Sequence, residues 1–216
     1  MIIEADRENF RLLNFLDKFM VGHKGYIAGG CFKNIFNKEP VKDIDIFFDN
    51  IEDLDEAIQY FDGLAYSGSD NTEYIYWYEN GNARAYKHVE SGIVLELCQK
   101  LFNSVENMIA NFDFTITKFA YFKVMVNDSE APLEEGCGHI EYKVLYDDKF
   151  FEHLHMKRLV VDDKILFPMS TFERMIRYAK YGYMPCRDAK MRVVNAIRDS
   201  RRGDLLANNS LYDGFD

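Results

Sequence analysis

The chain has 216 residues, of which 48% are hydrophobic and 15% aromatic, with only four prolines. That content excludes a disordered chain and is enough to bury one substantial core. A formal net charge of −10 opposes nonspecific adhesion to nucleic acid, whose phosphates must be met by Lys and Arg, and disfavours a long duplex ligand.

Residues 1–6 lack a basic and then apolar leader, and no run of eighteen apolar residues follows, so a cytoplasmic protein with no membrane partner is expected. Residues 7–20 place Phe10, Leu13, Phe15, Leu16, Phe19 and Met20 at roughly helical spacing, which predicts an amphipathic helix ending near Gly22. Tyr26-Ile27-Ala28 reads as a short strand, residues 31–37 as a short helix and 42–49 as a second strand. A helix is predicted over 53–63, with Leu54, Ile58 and Phe61 on one side. Residues 73–78, 83–89 and 93–98 are rich in aromatic and β-branched residues and read as strands, separated by hairpin turns at 79–82 and 90–92. The aromatic cluster Tyr74, Tyr76, Trp77 and Tyr78 is expected to fill or cover a sheet rather than stack bases. Residues 105–111 predict a short helix, 114–126 are mostly apolar, and 132–138 read as a loop. His153 and His155 have the alternation of one strand face, though local hydrogen bonding rather than zinc is expected of them. From Ser170 to about Arg201 the pattern is helical, broken near residues 182–185. Cys31, Cys98, Cys137 and Cys186 are too scattered for a zinc cluster or a disulfide framework, which leaves buried free thiols.

Two features carry chemistry. Along Asp43-Ile44-Asp45-Ile46 successive side chains point to opposite faces, so both carboxylates project together while the isoleucines enter the core. Such a pair repels itself at neutral pH unless a hard divalent cation, Mg²⁺ or Mn²⁺, bridges it to substrate phosphates. Gly29 and Gly30, at the end of one strand and the start of a helix, let backbone N–H groups approach an anion. Glu96 sits within an apolar strand; beside the Asp43 strand it would be a third metal ligand or a base, and on an edge strand it would face water. Asp113, between Phe112 and Phe114, is expected to cap the next segment or support a catalytic group, with a direct nucleotide or metal role open. Residues 167–183 predict a helix with a capping box at Ser170 and Glu173 and a terminal Gly182; Arg174, Arg177 and Tyr178 or Tyr181 share part of one face and are candidates to hold a triphosphate and stack a base.

The pattern Ile27-Ala28-Gly29-Gly30, then Asp43-Ile44-Asp45-Ile46, resembles the signature of the DNA polymerase β-like nucleotidyltransferase superfamily, which includes template-independent tRNA and poly(A) nucleotidyltransferases. Gly29-Gly30-Cys31-Phe32-Lys33-Asn34 is similar to the Gly-Gly-x-x-Arg-Asp segment of the tRNA-type enzymes. Lys33 for Arg loses the bidentate fork, and Asn34 for Asp removes a charge, which argues against strict CCA addition. Residues 93–121 and 168–185 look, more weakly, like small bacterial and phage members. The resemblance implies an α+β nucleotidyltransferase fold, a mixed central β-sheet flanked by helices, with a catalytic domain over 1–165 and a helical C-terminal extension over 166–216. It implies metal-dependent transfer of a nucleoside monophosphate from ATP or another nucleoside triphosphate to an acceptor hydroxyl, with release of pyrophosphate. Asp43, Asp45 and Glu96 would be the catalytic acids and ligands of Mg²⁺ or Mn²⁺. Gly29, Gly30, Lys33, Lys42, Asp113, Arg174 and Tyr178 would bind the nucleotide. The favoured acceptor is a tRNA or other RNA end, which would use the local cations Arg187, Lys190, Arg192, Arg198, Arg201 and Arg202. Two rival expectations are an inactive nucleotide-binding or partner-binding regulatory relative, and a toxin-like enzyme that nucleotidylates a protein.

Overall fold

The computed structural model describes residues 1–66, 72–127 and 138–200; the loop expected at 132–138 lies outside them except for its last residue. Eight strands form one mixed sheet: β1 (Ile2–Asp6), β2 (Tyr26–Ala28), β3 (Asp43–Phe48), β4 (Tyr74–Glu79), β5 (Ala83–His88), β6 (Val94–Leu101), β7 (Phe119–Asn127) and β8 (Gly138–Asp147). Their spatial order is β1-β8-β7-β2-β3-β6-β5-β4. The sheet and the helices around it make the α+β nucleotidyltransferase fold expected from the sequence. Strands β3 and β6 run parallel at its centre, while the neighbouring pairs are antiparallel. A parallel pair needs a long crossover, supplied here by helix α2 (Ile51–Ala65) and the β4–β5 hairpin.

Each face of the sheet buries its own cluster. Ile27, Ile44, Ile46, Leu95, Leu97 and Tyr86 pack with Leu54, Ala57 and Phe61 of α2. Tyr26, Phe47, Cys98 and Phe122 pack on the other face with Val105, Met108 and Ile109 of α3 (Val105–Ala110). Helix α2 starts two residues before its predicted bound because the Asn50 side chain accepts from the Asp53 amide at 2.8 Å, and Glu52 and Asp53 complement the positive end of the helix.

Several local expectations are corrected. Residues 7–20 form two 3-10 segments, Arg7–Asn9 and Arg11–Met20, rather than an α-helix. Leu13, Leu16 and Phe19 are buried at a spacing of three, the period at which side chains eclipse on a 3-10 helix. His153 and His155 lie on α4 (Phe150–His155), so strand alternation does not apply to them. His153 is buried and its Nδ1 shares a 2.8 Å hydrogen bond with Thr115 Oγ1. Helix α5 (Pro168–Lys180) begins at its proline, whose fixed φ suits the first helical turn, and Ser170 and Thr171 lie inside it, so there is no capping box. Gly182, with φ +89°, stands just beyond its end as expected. The predicted break in the helical tail is a short strand, β10 (Met184–Pro185), paired with β9 (Arg158–Leu159) and followed by α6 (Arg187–Asp199). Among the described residues no helix is long and apolar enough to cross a membrane. Cys31 and Cys98 are buried free thiols and Cys186 is a partly buried one; Cys137 lies outside the described residues.

Candidate active site

The register sets one row of side chains across the sheet. Ala120 of β7 lies opposite Ala28, Ala28 opposite Asp45, Asp45 opposite Glu96, Glu96 opposite Ala85, and Ala85 opposite Tyr78. Paired residues share a face. The row therefore sets two carboxylates side by side and borders them with methyl groups, which leave room above the sheet. Tyr78 reaches over Ala85, and its hydroxyl donates to Glu96 Oε1 at 2.6 Å. Asp43, two residues before Asp45 on the same face, is exposed, whereas Asp45 and Glu96 are buried.

Electrostatics follow from that placement. Burial raises the Asp45 carboxyl well above the usual carboxylate range, and the nearby Glu96 and Asp43 charges push it further. Glu96 is raised mainly by burial and also by Asp43, while the Tyr78 hydroxyl holds it down. Asp43 is raised by partial burial. Three acids that disfavour their own charged forms make a site for a cation or a proton. Among the described residues no group of three His, Cys, Asp or Glu side chains is close enough to cage a metal ion. The donor set fits instead a hard cation such as Mg²⁺, which takes one or two carboxylates and completes its shell with substrate phosphates and water.

Gly29 joins the row to the neighbouring helix. It has φ +94°, which disfavours L-residues, and an added Cβ would stand 3.3 Å from Asp45 Oδ2. Gly30 then leads into α1 (Cys31–Asn37). Lys33, on α1, is buried; its ammonium donates to Asn34 Oδ1, lies 5.1 Å from the Tyr181 ring centre, and is depressed in pKa chiefly by burial.

Two adjoining cavities flank Asp45. One, of about 450 Å³, brings together Gly30, Lys33, Lys42, Asp43, Asp45 and Glu96 with Arg177, Tyr178 and Tyr181 of the α5 end. The other is narrower and aromatic, walled by Phe47, Phe102, Phe112 and Phe167 with Lys100, Asp113 and Arg174; Gly30, Asp45 and Tyr178 border both. Gly29 also lines the narrower pocket. Asp113 Oδ2 accepts from Thr171 Oγ1 and from the Arg174 guanidinium, each at 2.6 Å, while its buried Oδ1 has no hydrogen-bond partner among the described residues. Asp113 thus ties the sheet's helical flank to α5 and stands apart from the carboxylate row.

All ten site candidates line one cavity or the other. Tyr78 joins them without a signal in the sequence, because its reach depends on a register shift between Tyr76 and Tyr78 that composition does not show. Tyr74 is buried as expected, but Tyr76 and Trp77 are exposed. Of the expected basic run, Arg187, Lys190, Arg192 and Arg198 are exposed on α6. Arg192 pairs with Asp163 at 2.8 Å and Arg198 with Asp199 at 2.8 Å, and residues 201 and 202 lie outside the described residues.

A sequence model of the Gabija anti-defense 2 family matches residues 6–157. The chain belongs to that family. No curated protein matches it in sequence. Its fold is similar to that of the Thermotoga maritima CCA-adding enzyme complexed with tRNA, at 13% identity and TM-score 0.55, over 96% of this chain and 50% of that one. A CCA-adding enzyme in complex with ATP matches at 15% identity and TM-score 0.54, over 96% of this chain and 51% of that one. The complex with CTP gives 14% and 0.52, over 96% and 49%. The family member described here spans about half the length of those enzymes. At such identities the likeness is one of fold, and it makes a nucleotidyltransferase-like fold the scaffold of this anti-defense family member.

Proposed function

We propose that the protein is a divalent-metal-dependent nucleotidyltransferase that serves anti-defense by moving a nucleoside monophosphate from a nucleoside triphosphate onto an acceptor hydroxyl. One observation carries this reading: Asp45 and Glu96 stand side by side at the wall of a cavity that also holds Asp43, Lys33 and Arg177. Asp43 and Asp45 would hold Mg²⁺ or Mn²⁺ together with triphosphate oxygens. The cation, when bound, supplies charge stabilisation for the oxygens that attack and leave the α-phosphate. Lys33, Lys42 and Arg177 counter the charge of the departing pyrophosphate. Glu96, oriented by Tyr78 and raised in pKa by burial, accepts the proton of the attacking hydroxyl. The aromatic pocket beyond Asp45 takes the base, with Lys100, Asp113 and Arg174 at its polar edge.

The fold neighbour complexed with tRNA and the exposed Arg187 and Lys190 support an RNA end as acceptor. The net charge of −10 and the pairing of Arg192 and Arg198 within the chain favour the second reading, a protein acceptor within the opposed defence system. Labelled triphosphates, incubated with the enzyme, Mg²⁺, total RNA and cell protein, test the assignment. Label on RNA supports the first reading, and label confined to protein supports the second. Tight metal-dependent nucleotide binding with label on neither would overturn transfer and leave a nucleotide-binding regulator.

A further inference from the structure

On the wall of the carboxylate cavity, one further carboxylate, Glu39, stands between two ammonium groups. Glu39 Oε2 is 3.7 Å from Lys33 Nζ, and its Oε1 is 4.0 Å from Lys157 Nζ. Glu39 is half exposed and lies between α1 and β3, whereas Lys157 follows the end of α4, remote in sequence. Both ammonium groups also face rings, Lys33 that of Tyr181 and Lys157 that of Tyr183 at 4.6 Å. The Lys157 Nζ lies 3.3 Å from the Tyr183 hydroxyl as well. These contacts hold two cations, Lys33 on the cavity wall and Lys157 beyond Glu39, around a single oxyanion.

The backbone adds an independent observation. Lys157 has φ +50°, a left-handed conformation that strains an L-residue and that glycine adopts freely. A lysine there is carried against the local backbone preference.

We infer that Lys33 and Lys157 form the subsite for the terminal phosphates of a polyphosphate, and that Glu39 occupies it as an internal counter-anion until the substrate displaces it. The inference rests on the reading that the triphosphate lies in this cavity, and it adds Lys157 and Glu39 to the residues that control its binding. A polyphosphate carries several negative charges where Glu39 carries one, so the exchange favours the ligand. An ion pair with a half-exposed carboxylate is weak, so Glu39 is readily released. Released pyrophosphate leaves as Glu39 returns, and the two lysines are never without an anion.

The two partners should respond in opposite directions, which a merely structural role would not produce. Glu39→Gln should tighten binding of inorganic tripolyphosphate and of Mg·ATP by up to about fivefold, because the competitor is gone. Lys157→Gly should weaken both by about tenfold, the loss of one charge-assisted contact, while leaving thermal stability equal or higher because the left-handed strain is relieved. AMP, which has no terminal phosphates, should bind both variants as it binds the native chain. Calorimetric titration of the full chain and of each variant with tripolyphosphate, Mg·ATP and AMP reads these shifts directly. Native tripolyphosphate affinity in both variants would overturn the subsite. Because tripolyphosphate binding needs no base pocket, an absence of Mg·ATP binding with the two shifts intact would refute the proposed function and leave the anion subsite standing.

Discussion

Gly29→Ala tests whether the close approach of Gly29 to Asp45 sets the geometry of the site. The native φ of +94° makes any L-residue strained there, at about 1–2 kcal/mol. For a chain of this size each kcal/mol lowers the melting temperature by about 2–4 °C, so a fall of roughly 2–8 °C is expected. The added methyl would also stand 3.3 Å from Asp45 Oδ2, and the carboxylate must retreat by a few tenths of an ångström. The register places Glu96 on the other side of Asp45, so the retreat drives two buried carboxylates together. Scaling from about a hundredfold in rate for a 1 Å misplacement, transfer should slow by roughly threefold to tenfold, beyond any change due to stability. Gly182→Ala is the control: its φ of +89° carries similar strain, yet no atom of the described residues lies within 4 Å of the added carbon. Scanning calorimetry and initial rates at a temperature where both variants are folded make the comparison. Equal melting losses with equal rates in the two variants would refute a steric role for Gly29 at Asp45.

Asp45→Asn should abolish metal-dependent triphosphate binding yet raise stability at neutral pH. A carboxyl raised in the fold favours folding fully only below its unfolded pKa near 3.8 and loses that contribution as pH rises through the folded value, so the melting advantage of the variant should shrink toward pH 4; a constant gap between pH 4 and 7 would contradict it. Tyr78→Phe removes the hydrogen bond that restrains Glu96, so the acidic limb of the rate profile should move to higher pH, and an unmoved limb would take Glu96 out of the proton transfer. Arg174→Met strips a cation from the buried Asp113 carboxylate and should cost about 3–5 kcal/mol in denaturant unfolding, whereas the double variant with Asp113→Asn should recover much of that loss. Neutralising Arg187, Lys190 and Arg198 together should reduce the salt slope of RNA binding by about 2–3 with triphosphate affinity unchanged if RNA is the acceptor; an unchanged slope would favour the protein acceptor.

How far the sequence could be read depended on whether the decisive contact was local. The alternation of Asp43 to Ile46 specifies a half-buried strand by itself, and Gly29-Gly30 announces a backbone that must approach something. Glu96 was ambiguous between edge and centre until pairing was known; the parallel β3–β6 register decided for the centre. Strand β1 is five residues long with no buried member, and its partner β8 lies about 140 residues along the chain, so no local pattern announces their pairing. The first segment reads as an α-helix because Leu13, Leu16 and Phe19 satisfy spacings of three and of three-to-four almost equally over so short a run. Ser170 and Glu173 had the spacing of a capping box, but the adjacent Pro168 already offers a preferred first helical residue. The Asp113–Arg174 pair joins elements with nothing in common along the chain, and no local pattern announces it.

The strand order also bears on how the protein comes off the ribosome. Strand β2, which walls the carboxylate row, finds β7 only late, with Ile27 opposite Tyr121, and β1 waits longer still, with Ile2 opposite Asp147. A nascent chain that has emerged through Leu101 already contains Asp43, Asp45 and Glu96, yet one edge of its central strands is bare. Such non-local pairings slow folding and leave strand edges open to misassembly meanwhile. The cavity over these acids gains Arg177, Tyr178 and Tyr181 only when α5 has emerged, so a chain truncated before α5 would carry all three acids without that wall.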